Sequence, residues 1–175
     1  NPSVYHMGNL IIYLITCLLL YRILVDQIRH SALWVVAFFA LHPVHTEPVA
    51  WVSARSDLLA GFFCLLSFFA YQKSISKRTS LTYAGSIIFW ILAFFSKSVA
   101  VAFPMVIVGY DICVRSKPWR QNLIRWSPFI FLSIMACFFS IYRARITGHI
   151  YDDFLFFSDR LLYIALLVQR YILTT

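Results

Sequence analysis

Residues 41–59 read LHPVHTEPVAWVSARSDLL, and the runs on either side, SALWVVAFFA at 31–40 and AGFFCLLSFFAY at 60–71, contain no charge. A polar break between two such runs is what separates consecutive membrane helices, because each segment must satisfy its backbone polar groups within itself. The rest of the chain agrees. It is 61% hydrophobic and 18% aromatic, with a mean hydropathy of +0.77, which excludes an ordinary soluble domain.

The expected fold is all-α, a polytopic bundle of about seven spans forming a single transmembrane domain over 1–175. Apolar runs place the spans at Asn9–Val25, Ser31–Leu41, Leu58–Tyr71, Leu81–Ser96, Ser98–Val114, Leu123–Tyr142 and Arg160–Thr175. Two lengths are informative. Ser31–Leu41 is too short to cross a core about 30 Å thick, so His42 and Pro43 are expected to continue it. Leu81–Val114 is barely long enough to cross twice, so its hairpin must be tight, with Lys97 at the tip.

The formal charge of +8 does not point to nucleic acid, since the basic residues sit at span ends and form no contiguous face. Their distribution reads as topology. Arg22, Arg29, Lys73, Lys77, Arg78, Arg115, Lys117, Arg120 and Arg125 fall in one set of loops, against Arg55, Lys97, Arg143, Arg145 and Arg160 in the other. The richer set is expected to be cytoplasmic, which puts residues 41–59 on the extracytoplasmic side. Cys17, Cys64, Cys113 and Cys137 lie in apolar runs without CxxC spacing and read as core residues. With Asn1 at its start and an apolar run at its end, the chain reads as an internal piece of a longer protein, and no signal peptide is indicated.

Chemistry-bearing residues concentrate in the extracytoplasmic set. Pro48 suits the first turn of a helix running toward Leu58, which would align Glu47, Trp51 and Arg55 on one face and Ser53 and Asp57 on another. Arg55 and Asp57 read equally as interface anchors or as ligand-binding groups, with Asp57 expected to pair with Arg55. His42, His45 and Glu47 suggest a divalent cation, but the spacing is not HExxH and no fourth ligand is evident, so no metal is assigned. Hydrogen-bonded pocket histidines are the better reading. Lys97, an isolated cation between two apolar helices, suits a phosphate group, the alternative being that it simply snorkels to the interface. Arg143 and Arg145 could clamp phosphate, while Asp152 and Asp153 read as a solvated loop. Asp111 is expected to cap its span or pair with the adjacent basic loop, and the five tryptophans are read as interfacial or core residues.

Three stretches carry a resemblance: NPSVYHMGNLIIYLITCLLLY, FALHPVHTEPVAWVSARSDLLAGFFCLLSFFAY and LAFFSKSVAVAFPMVIVGYDI. They resemble the membrane half of tetratricopeptide-repeat glycosyltransferase-like proteins, a group with bacterial members and transmembrane O-mannosyltransferases. The resemblance is strongest from Asn1 to Asp111. It implies a C-type glycosyltransferase fold that moves a sugar from a polyprenyl or dolichyl phosphate to a hydroxyl, such as a protein Ser or Thr, outside the cytoplasm. It also implies a multi-pass protein of the bacterial inner membrane, or of the endoplasmic reticulum in a eukaryote.

The main catalytic acid would then precede Asn1, and the tetratricopeptide repeats would follow Thr175. His45 and Glu47 would be supporting catalytic residues, and His42, Arg55, Asp57, Lys97, Arg143 and Arg145 would bind the lipid-linked donor. The expected partners are membrane lipid, the polyprenyl-phosphate sugar and a protein acceptor. A non-catalytic anchor or assembly subunit, and a transporter or lipid flippase, are the competing readings.

Overall fold

The computed structural model describes residues 2–51, 54–77, 79–115 and 119–146. They form α1 (Pro2–Ile28), α2 (His30–Leu41), a 3₁₀ turn (Pro43–His45), α3 (Thr46–Ala50), α4 (Arg55–Lys77), α5 (Ser80–Ser96), a second 3₁₀ segment (Ser98–Ala102), α6 (Phe103–Cys113) and α7 (Trp119–Ile146). There is no strand among the described residues. The chain divides into two compact units, Asn1–Ser133 and Ile134–Thr175, and the described part of the second is the last half of α7.

Among the described residues, three helices are long and apolar enough to cross a membrane, over Tyr5–Ile28, Arg55–Ser76 and Asn122–Tyr142. His30–Leu41, Ser80–Ser96 and Ser98–Cys113 are shorter apolar helices. Six of the seven expected spans thus appear as helices, and the seventh, Arg160–Thr175, lies outside the described residues.

Burial is inverted relative to a soluble protein. Leu18, Phe95 and Ile124 are 67%, 76% and 82% exposed, whereas Asn9, Ser67, Ser86 and Asp111 are fully buried. Apolar side chains facing outward and satisfied polar groups within are what a bilayer selects. The interior is aromatic, with Phe68, Tyr71, Trp90, Phe103, Trp126 and Phe129 packed together beside Ile23 and Ile107. Ser67 and Ser86 exchange hydrogen bonds with each other's carbonyls at 2.7 Å, stitching α4 to α5.

Helix ends follow local chemistry, and two expectations are corrected. α2 does not continue through His42 and Pro43: it stops at Leu41, and His42 is extended at φ −68°, ψ 128°. The residue before a proline is driven out of helical geometry by the ring. Tyr13 Oη closes the open end by donating toward the Phe39 and Ala40 carbonyls at 3.2 and 3.1 Å. The helix from Pro48 toward Leu58 also does not form. α3 stops at Ala50, Trp51 is extended, and α4 starts afresh at Arg55, so Glu47, Trp51 and Arg55 share no helical face. Ser53 lies outside the described residues.

The tight hairpin between α5 and α6 is present. Lys97 is extended at φ −154°, ψ 133°, and the 3₁₀ turn follows directly. Trp90 Nε1 donates to the Ala100 carbonyl at 2.9 Å and Ser133 Oγ to the Val101 carbonyl at 3.1 Å. The Ala100 carbonyl also accepts the Phe103 N–H, so the Trp90 bond adds a tie from α5 to the turn, and the Ser133 bond ties α7 to it.

Candidate functional site

Long-range contacts define one polar end of the bundle. The start of α1 meets the start of α4, the end of α2 meets α1, and the hairpin at Lys97 meets the first turn of α4. Residues 41–51 and 54–57 and Lys97 therefore gather at that end. The turn at Arg29 and the C-terminal ends of α4 and α6 lie at the opposite end, with Lys73 and Arg115 among the residues there.

Arg55 is the best-positioned group there. Its Nε donates to Asn9 Oδ1 at 2.9 Å and its Nη2 to the Tyr5 carbonyl at 3.2 Å, while its guanidinium carbon lies 5.5 Å from the centre of the Tyr5 ring. Asn9, fully buried, turns its amide the other way and donates to the Trp51 carbonyl at 3.1 Å and toward that of Val49 at 3.4 Å. One side chain thus ties α1 to the break between α3 and α4 and fixes Arg55. Gly8 leaves the room for this: a Cβ there would sit 3.1 Å from Arg55 Nη2.

The expected Asp57–Arg55 pair is absent. Asp57 forms an ion pair with Lys97 instead, because positions 55 and 57 of one helix point to different faces. Arg55 has only neutral partners among the described residues, so its charge is uncompensated. Lys97 is already paired. Beside that pair a groove of about 430 Å³ runs between Ala60, Gly61, Cys64, Val99, Phe103 and Val106. A charged mouth on an apolar trough matches a lipid that carries a polar head.

The histidines hold the loop together. His42 Nδ1 accepts from the Val44 N–H at 3.2 Å. His45 packs against the rings of Phe39 and Tyr13, with centroids 4.2 and 5.5 Å away. Burial, and then the neighbouring His42, push the His45 imidazole below its ordinary pKa of 6.5 and favour the neutral ring. Glu47 is exposed in the first turn of α3. No group of three His, Cys, Asp or Glu residues gathers as metal ligands among the described residues. Arg143 and Arg145 belong to the last turn of α7 in the second unit, and Asp152 and Asp153 lie outside the described residues.

Sequence reasoning missed Asn9, Gly8 and Tyr13, whose partners lie 26 to 47 residues away. It half-anticipated Asp111. That carboxylate pairs with Arg115 at 2.9 Å as expected, yet it is fully buried and also accepts from Tyr71 Oη at 2.5 Å and Trp126 Nε1 at 2.9 Å.

No family model matches the chain, and no solved structure does. Curated relatives do. Protein O-mannosyl-transferase TMTC1 of Mus musculus is 40% identical over 80 residues, covering 44% of this chain and 8% of its own length. Protein O-mannosyl-transferase TMTC4 of Homo sapiens is 45% identical over 62 residues, 35% of this chain and 8% of its own length. Protein O-mannosyl-transferase Tmtc3 of Drosophila melanogaster is 32% identical over 97 residues, 43% of this chain and 10% of its own length. The aligned segments thus span a tenth or less of these relatives. Within that stretch the chain is similar to protein O-mannosyl-transferases, in line with the resemblance read from its motifs.

Proposed function

We infer that this chain is part of a membrane glycosyltransferase that moves a sugar, mannose by analogy with its relatives, from a polyprenyl phosphate to a protein hydroxyl on the extracytoplasmic side. The observation that carries the reading is Arg55, a cation with only neutral partners among the described residues, at the same end as the charged, apolar-walled groove.

In the reaction the acceptor oxygen forms a bond to the anomeric carbon. The bond from that carbon to the phosphate oxygen breaks, and the phosphate leaves with the electron pair. Arg55 offers planar donors to the growing negative charge, fixed before the donor arrives. Lys97 is shared with Asp57, so phosphate competes with a carboxylate for it and Lys97 is the adjustable cation of the two. The hydroxyl proton passes to a carboxylate, with Glu47 in a supporting role and neutral His45 holding the loop.

Arg55→Ala and Lys97→Ala in the full-length parent test this. Loss of a prepositioned donor to developing charge costs about 10²–10³ in turnover, so Arg55→Ala is expected to fall in that range and Lys97→Ala by less, with membrane insertion intact. Unchanged turnover from lipid-linked sugar in Arg55→Ala would sink the assignment.

A further inference from the structure

At the opposite end of the bundle Arg125, like Arg29 and Lys73, has no ion pair among the described residues. Arg125 stands three residues after Asn122, where the apolar span of α7 begins. Three residues are about 5 Å of helix, so Arg125 lies just inside the start of the apolar span, within reach of the headgroups. The described carboxylates at this end are already taken. Arg22 pairs with Asp26, and buried Asp111 is taken by Arg115, Tyr71 and Trp126. Among the described residues no carboxylate reaches Arg125 within ion-pair distance.

Arg125 lines a cavity of about 520 Å³ together with Ser74, Thr79, Ser80, Tyr83 and Pro128. The walls are fixed. Tyr83 Oη donates to the Arg125 backbone carbonyl at 2.7 Å, joining α5 to α7, and Ser74 Oγ donates to the Tyr71 carbonyl at 2.7 Å. The guanidinium and the Ser80 hydroxyl remain as donors at the mouth, and Ile124 beside them is 82% exposed. A half-buried arginine at membrane depth calls for an anion, and its fork fits two phosphate oxygens.

We propose that this cavity binds a phosphate-bearing anion through Arg125, presented by an anionic phospholipid whose chains run along Ile124 or as free phosphate. The site is independent of the reading given to Arg55. It would hold lipid whether or not the protein transfers sugar.

The test uses the full-length parent, extracted from membranes of mixed phosphatidylglycerol and phosphatidylcholine, with retained lipid counted by native mass spectrometry. In a parallel arm, thermal stability is measured against added inorganic phosphate. Arg22→Gln serves as a control for lost charge. Phosphatidylglycerol retention is expected to drop about fivefold or more in Arg125→Gln, to persist in Arg125→Lys and to be unchanged in Arg22→Gln. Stabilisation by inorganic phosphate that also requires Arg125 would support the site and name free phosphate as the source. Equal behaviour of Arg125→Gln and the parent in both arms would overturn the proposal. If Arg125→Gln fails to fold, Ser80→Asp places a carboxylate at the exposed mouth. Lost retention supports the site, and unchanged retention overturns it.

Discussion

Asn9 shows how one residue can organise a site. Its carbonyl oxygen takes the Arg55 Nε–H and its amide reaches the Trp51 carbonyl across the α3–α4 break. Asn9→Leu would leave the half-buried Arg55 and the Trp51 carbonyl without this partner, so a loss of about 1–3 kcal/mol is expected in a reversible unfolding measurement. Asn9→Asp separates fold from charge. The new carboxylate still accepts from Arg55 but cancels its positive charge, so the protein is expected to fold while turnover falls toward that of Arg55→Ala. Turnover equal to that of the parent would show that the net charge of Arg55 is not what matters.

His45 gives a pH dependence whose sign follows from its environment. Its pKa lies below 6.5 in the folded protein, so the unfolded chain binds the extra proton more readily. The stability contributed by the neutral ring is therefore present above about pH 6.5 and is lost as pH falls through the folded value. Limited proteolysis at residues 41–51 is expected to quicken on acidification, and His45→Phe, which keeps a ring against Phe39, is expected to flatten that response.

At the scale of helices, polar side chains repair backbone breaks. Pro128 lies inside α7 and has no N–H to give the Ile124 carbonyl, but Ser127 Oγ donates to that carbonyl at 3.0 Å. Ser127→Ala is expected to cost about 1–2 kcal/mol, read as a lowered denaturation midpoint. The turn between α1 and α2 is a single residue, Arg29, at φ 36°. Arg29→Gly relaxes the left-handed backbone and is expected to be neutral or stabilising, whereas Arg29→Val is expected to destabilise by about 1–2 kcal/mol.

The helices themselves were legible because apolar run length sets them, and the hairpin at Lys97 followed from counting residues against bilayer thickness. The break at Trp51 was not legible. Local spacing favoured a helix from Pro48 onward, and the amide of Asn9, 42 residues away in sequence, holds the Trp51 carbonyl at the break. Positions 55 and 57 of α4 face different ways, so the partner that Asp57 finds in place of Arg55 depends on which helix end meets its face.

Across the whole molecule, polar groups inside and apolar groups outside give the bundle its solvent. Leu18 is 67% exposed near the middle of α1, so Leu18→Asp is expected to cost about 2.5–3.5 kcal/mol of apparent insertion free energy, measurable as the glycosylated fraction in a translocation assay. The two ends of the bundle carry different chemistry. One gathers Arg55, the Asp57–Lys97 pair and the apolar groove, and the other holds Asp111 with its partners and the cavity of Arg125. The distribution of basic residues already separated those ends in the sequence. The partner of each cation depended on contacts between helices.

The central claim is that the first end receives a lipid-linked sugar phosphate at Arg55. It is tested most directly by irradiating the full-length parent with a photoreactive polyprenyl phosphate and locating the label by peptide mass spectrometry. Label concentrated in residues 55–64 and 97–106, and lost from them in Arg55→Ala, is the expected result. Label spread evenly over the exposed apolar helices, or unchanged by Arg55→Ala, would contradict it.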